Sequence, residues 1–247
     1  MIPNPIRKVL STMEAHQVRV LLMGGQACVF YGAAEFSRDL DFAILTGAEN
    51  WRRLQSALTE LQAECIAVPP SDMNYLLRGF ALHFRCQHEE ARGLRIDVMS
   101  VMRGVEEFPK LWERRASLTD AAGTVYNLLS LPDLVLAKKT QRSRDWLMIQ
   151  RLVDMDYMVG RGNQSPNEVA FWLRELRTPQ NLIEVAGRHP EASRQLSAQR
   201  PLIHHAIDGD VAAITAGLAE EEKQEREKDR IYWQPLKAEL EKLRHAK

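Results

Sequence analysis

Apolar positions recur along the first half of the chain with two different periods. Between Pro5 and His16, Ile6, Val9, Leu10 and Met13 are spaced as on one face of a helix. Val18 to Met23 is an apolar, partly β-branched run halted by Gly24 and Gly25, after which Gln26 to Ala34 resumes helical spacing; this predicts a strand, a Gly-Gly turn and a helix. From Arg38 to Leu45 the period is two, so Leu40, Phe42 and Ile44 share one face of a strand and Asp39 and Asp41 the other. Residues 50 to 64 return to a helical stripe of Trp51, Leu54, Leu58 and Leu61, with Asn50 as its expected cap.

Two more strands are predicted at 80–87 and 94–101, joined by the polar connection HEEARG. In the second, Leu94, Ile96 and Val98 take one face while Arg95, Asp97 and Met99 take the other. From about residue 126 strand signals nearly vanish. The stretch 130–160 reads as helix, charged interruption and helix, and Ser165 caps another helix beginning at Pro166. Residues 219–230 alternate charges in the manner of a solvated helix with pairs such as Glu222 and Arg226, and the aromatics of 232–243 are expected to pack against the body of the protein, with Pro235 starting or breaking a helix. The expected fold is therefore α+β, a small mixed sheet with flanking helices over residues 1–125 and an α-helical domain over 126–247.

Composition adds limits. The 247 residues suffice for one large domain or two ordinary ones, and 33 Lys+Arg balance 33 Asp+Glu, which argues against a surface built wholly to hold nucleic acid. Cys28, Cys65 and Cys86 lack the close spacing of a structural zinc site and read as small core residues in a reducing compartment. With no signal peptide pattern and no long apolar run, a cytoplasmic protein without a membrane span is expected.

Carboxylates are costly to bury unless something offsets their charge. Asp39, Asp41 and Asp97, if their strands are neighbours, form a set able to hold two divalent cations, and hard Mg²⁺ suits carboxylate and phosphate oxygens. Gly24 and Gly25 at a helix start add backbone N–H groups suited to phosphate. Salt bridges at a sheet rim are the simpler alternative for the aspartates. His83, in ALHFRC, falls on a strand that could neighbour that of Asp97, where a histidine could serve as acid or base, but it reads as a satisfied structural residue and is not counted among the catalytic ones.

The combination of Gly24-Gly25, a helix, Asp39-Leu40-Asp41 and a later strand bearing Asp97 resembles the nucleotidyltransferase superfamily that includes DNA polymerase β. GGQA with SRDLDF resembles its minimal, AbiEii-like branch associated with toxin–antitoxin pairs more than the polymerases. DLVLAKKTQRSRDW, Asp133 to Trp146, extends the likeness, which covers about residues 15 to 155. The resemblance implies that Asp39 and Asp41 bind both metals and that Asp97 binds the one near the attacking hydroxyl. It also implies that Gly24 and Gly25 approach a triphosphate flanked by Ser37 and Arg38, and that Lys138, Lys139 and Arg142 offset phosphate charge. The second glycine stands where many members carry serine.

The function so implied is Mg²⁺-dependent transfer of a nucleoside monophosphate from an NTP to a hydroxyl of a protein, an RNA or a small molecule, with release of pyrophosphate. The alternative is a non-catalytic nucleotide-binding or partner-binding module of a toxin–antitoxin type system, with a protein partner. A metal-dependent phosphohydrolase is a third expectation from the same carboxylates.

Overall fold

The computed structural model describes residues 3–120 and 123–245. Helix α1 (Asn4–Ala15) leads into β1 (Val20–Met23), α2 (Gly24–Phe30), β2 (Asp39–Ile44) and α3 (Ala48–Glu60). There follow β3 (Glu64–Cys65), α4 (Met73–Leu77), β4 (Leu82–Arg85), β5 (Arg95–Met99), α5 (Phe108–Glu113), β6 (Ala116–Thr119) and β7 (Val125–Leu128). The rest is helical: α6 (Leu131–Ala137), α7 (Ser143–Gly160), α8 (Pro166–Glu175), α9 (Pro179–Arg188), α10 (Pro190–Ser197), α11 (Leu202–Ile207) and α12 (Val211–His245). The architecture is thus the expected mixed sheet with flanking helices followed by a helical region.

The seven strands form one mixed sheet in the order β3-β4-β5-β2-β1-β7-β6. β1 runs antiparallel to β2 and parallel to β7, and β2 runs parallel to β5. All four residues of β1 are buried, as an apolar run between two neighbouring strands requires. On β2 and β5 the alternation places Leu40, Phe42, Ile96 and Val98 in the core and leaves Asp39, Asp41, Arg95 and Asp97 half-buried on the other face. α1 buries the stripe Ile6, Val9, Leu10 and Met13 that its spacing predicts.

The chain divides into two compact units, Met1–Ala137 with Tyr232–Lys247, and Lys138–Ile231. The division expected from sequence, between residues 125 and 126, falls inside β7 and leaves Tyr126, Asn127, Leu128 and α6 with the helical part. In the second unit α7 buries Trp146, Ile149, Leu152, Val153 and Tyr157, and Trp172 meets Tyr157 edge to face at 5.2 Å. Ser165 and Glu168 close a reciprocal capping box at the start of α8, and Glu222 pairs with Arg226 at 3.3 Å on α12.

Several local expectations are corrected. β6 and β7 were not legible because β6 is an exposed edge strand with no apolar period and the buried positions of β7 are only Tyr126 and Leu128. Asn50 is not a cap: α3 begins after Gly47, and the buried Asn50 accepts from the Arg19 N–H at 2.7 Å and donates to the carbonyls of Leu45 and Arg19 at 2.8 and 3.1 Å. This one amide ties three segments together. Cys65 is exposed, not a core residue, whereas Cys28 and Cys86 are buried. Pro235 lies inside α12, and beside it Tyr232 and Leu236 come within 4 Å of the position a Gly79 side chain would occupy.

Candidate functional site

The register of β2 against β5 sets Asp41 directly beside Asp97 and Asp39 directly beside Arg95. Directly opposed residues on neighbouring strands point to the same face, and residues two apart on one strand do so as well. Four side chains therefore stand at the corners of a rectangle, three of them carboxylates and the fourth a guanidinium. A slip of one residue in this pairing would turn Asp97 into the core.

Asp97 is fixed from two sides. Arg95 Nε donates to its Oδ1 at 2.7 Å, and His83 Nδ1, directly across the β4–β5 pairing, lies 2.9 Å from the same oxygen. Arg95 Nη2 is also 3.0 Å from His83 Nδ1. One ring nitrogen cannot donate to Asp97 and accept from Arg95 with the same proton, so the three groups have two alternative hydrogen-bond patterns. Burial is the largest single influence on the Asp97 carboxyl and pushes its pKa up. The hydrogen bonds from His83 and Arg95, with their charges, outweigh it and hold the group below its ordinary value. Arg95 is raised above its ordinary value, first by the Asp97 hydrogen bond and further by the charges of Asp97, Asp39 and Asp41, so all three carboxylates act on one guanidinium. The hairpin of β4 and β5 sets His83 directly across from Asp97, the neighbourhood its strand suggests, and its exact register comes from the pairing of the two strands.

Gly24 opens α2 with φ +65°, in the left-handed region. A Cβ there would lie 1.8 Å from Asp41 Oδ2 and 2.4 Å from its Cγ, so the Asp41 carboxylate occupies the volume a side chain would need. A Cβ on Gly25 would lie 2.6 Å from Ser37 Oγ, which itself donates to the Asp39 carbonyl at 3.0 Å. The two glycines thus let the start of α2 close over Asp41 and Ser37. Arg38 is exposed.

Lys138, Lys139 and Arg142 lie in the second unit and are engaged by carboxylates there. Lys138 is 3.5 Å and Arg142 3.1 Å from Asp145, and Lys139 is 2.8 Å from Glu175. Asp145 also accepts from Thr140 at 2.6 Å.

The donor chemistry of Asp39, Asp41 and Asp97 fits a hard divalent cation, because the set is all carboxylate with no thiolate. Among the described residues no three His, Cys, Asp or Glu side chains are gathered closely enough to hold an ion, and Asp97 has Oδ1 engaged by Arg95 and His83. Ion binding therefore calls for rotation of these side chains from the positions described.

Among the described residues no helix is long and apolar enough to cross a membrane. No family model matches the chain, and no curated protein does. Two solved structures from Helicobacter pylori match it along most of its length. JHP933 is 12% identical with a TM-score of 0.40, over 95% of this chain and 94% of that one. A second protein, provisionally named a nucleotidyltransferase, is 11% identical with a TM-score of 0.40, over 92% of this chain and 94% of that one. Likenesses this distant carry no weight on activity, and neither speaks to the AbiEii-like branch.

Proposed function

We propose that the protein is a nucleotidyltransferase that moves a nucleoside monophosphate from an NTP to a hydroxyl acceptor and releases pyrophosphate. The observation that supports this reading is the pairing of Asp41 with Asp97 on adjacent parallel strands, with Asp39 on the same face. Asp39, Asp41 and Asp97 would hold Mg²⁺, two ions in the usual arrangement of such carboxylates. When bound, the metal supplies charge stabilisation at phosphoryl oxygens.

The chain's own residues contribute in other ways. Arg95 and His83 favour the ionised form of Asp97 and hold its orientation, both through Oδ1 of the carboxylate. Gly24 lets backbone sit against Asp41, which fixes that carboxylate beside the helix start. Residue 25 lacks a hydroxyl, yet Ser37 Oγ stands next to it, so a hydroxyl is present beside the second glycine in spite of the Gly-Gly sequence. Within the second unit Lys138 and Arg142 pair with Asp145 and Lys139 with Glu175, pairs that neutralise part of the charge they would offer a phosphate. The AbiEii-like setting, with a neighbour-encoded partner, belongs to this proposal as its biological context.

The test is incubation of the protein with each radiolabelled NTP, Mg²⁺ and cell extract. A labelled acceptor is expected with the natural chain and not with Asp41→Asn or Asp97→Asn. Free nucleotide without a labelled acceptor would assign hydrolysis instead. No turnover of any NTP, together with a stable co-purifying protein, would assign the partner-binding module.

A further inference from the structure

We propose that a cleft of about 340 Å³ within the helical unit is a binding site for a phosphate-type oxyanion, held by Arg177 and Arg174. The site goes beyond the transferase reading and uses none of its carboxylates. Its lining comes from several elements of that unit: Trp146 of α7, Arg174 of α8, Arg177 just after α8, Arg200 between α10 and α11, and Glu221 of α12.

The argument rests on which charges in this cleft are already matched. Glu175 is paired with Lys139 at 2.8 Å. Glu221 receives two hydrogen bonds from Arg200, at 2.8 Å from Nε and 2.8 Å from Nη2. Glu222 is paired with Arg226 at 3.3 Å and Glu225 with Lys228 at 2.8 Å. Every glutamate at the cleft therefore has a cation of its own. Arg177 shares Glu221 and Glu222 with those cations and hydrogen-bonds neither, and Arg174 has no carboxylate within ion-pair distance among the described residues.

Arg177 is the more telling of the two. Its side chain is only 11% exposed, it stacks on the Trp146 ring at 4.7 Å, and among the described residues its one hydrogen bond is from Nη2 to the Leu218 carbonyl at 2.6 Å. A guanidinium carries five N–H donors. The carboxylates of Glu221 and Glu222 lie at 3.6 and 3.9 Å, beyond hydrogen-bond range, and both are committed elsewhere. Burial is the largest influence on Arg177 and pushes its pKa down, as expected of a cation removed from water without adequate compensation. Arg174, exposed at the same cleft, has no carboxylate within ion-pair distance among the described residues.

A tetrahedral oxyanion answers both needs. A guanidinium presents its donors in a planar fork that meets two oxygens of a phosphate at once, and burial strengthens such a pair. The Trp146 stack and the Leu218 bond already fix the fork, so little side-chain freedom is lost on binding. The same chemistry would accept free phosphate or the phosphate of a nucleotide.

The experiment is calorimetric titration of the full chain, without divalent metal, with inorganic phosphate and separately with AMP. One saturable site is expected, weakened at least tenfold in Arg174→Gln and in Arg177→Gln, and unchanged in Asp41→Asn. Tighter binding of AMP than of phosphate would assign a nucleotide as the source, and equal binding would assign phosphate itself. Thermal melts show whether Arg177→Gln has folded; if it has not, Arg174→Gln, at the exposed rim, and Arg177→Lys, which keeps the charge and loses the fork, decide the matter. No saturable heat from either titrant, affinities within twofold of the natural chain in both Arg174→Gln and Arg177→Lys, or loss of binding in Asp41→Asn would overturn the proposal.

Discussion

Replacing Gly24 with alanine tests the closest approach in the carboxylate site. The new Cβ would fall 1.8 Å from Asp41 Oδ2, 2.4 Å from Cγ and 2.7 Å from Cβ, all inside contact distance. Relief requires that Asp41 rotate away or that α2 lift from β2. Overpacking of this kind costs roughly 1–3 kcal/mol, and holding a non-glycine residue at φ +65° adds about 1–2 kcal/mol. The sum of about 2–5 kcal/mol corresponds to a fall in Tm of roughly 5–15 °C for a chain of this size. Differential scanning calorimetry measures it. Gly187→Ala in α9 is the matched control, because nothing lies within 4 Å of its Cβ; there the helix should gain about 0.5–1 kcal/mol and Tm should rise slightly. Asp41→Ala removes the two nearest atoms, so the double variant Gly24→Ala/Asp41→Ala should be at least about 1 kcal/mol more stable than the sum of the single effects. A Gly24→Ala melt within a degree or two of the natural protein, or strict additivity with Asp41→Ala, would show that Asp41 does not fill the space over Gly24.

Three further outcomes follow from buried or paired polar groups. Asn50→Ala leaves the Arg19 N–H and the Leu45 and Arg19 carbonyls without their partner, at a cost of about 2–4 kcal/mol in urea unfolding; a loss below about 1 kcal/mol would mean the amide is dispensable. Arg114 forms a two-pronged pair with the buried Asp133 at 2.7 and 2.9 Å, and Arg114→Met should cost about 2–4 kcal/mol, somewhat under the figure for a fully buried pair because Arg114 is partly exposed; an unchanged unfolding midpoint would count against the pair. The Lys8 hydrogen bond, then that of His16, holds the Glu60 carboxyl down at about 2 from an ordinary 4.5. A depressed carboxyl stabilises the fold above its unfolded pKa and ceases to do so as pH falls through the folded value. The loss attributable to Glu60 should therefore occur between about pH 4.5 and 2 and be absent in Glu60→Gln. With Glu60 well exposed it should not exceed about 1 kcal/mol, and an NMR titration midpoint of Glu60 near 4.5 would refute it.

Much of the first unit could be read from local periodicity. The helix at α1 and the strands β1, β2, β4 and β5 each follow from side-chain spacing over a few residues, as does the Ser165 cap of α8 in the second unit. The failures share a cause. Asn50 has the identity of a cap but serves as a buried clasp, since its partners Arg19 and Leu45 come from other segments. β6 is an exposed edge strand with no apolar period, and the buried positions of β7 are only Tyr126 and Leu128.

What the amino-acid sequence determined by itself is that Asp39 and Asp41 share a face opposite Leu40 and Phe42, because pleating makes that a property of one strand alone. It determined equally that Arg95 and Asp97 share a face. Which strand neighbours β2, and in what register, is a contact between segments more than fifty residues apart, and no local period encodes it. The tertiary structure alone decided that Asp97 stands beside Asp41, that Arg95 and His83 hold it, and that Gly24 rests against the Asp41 carboxylate.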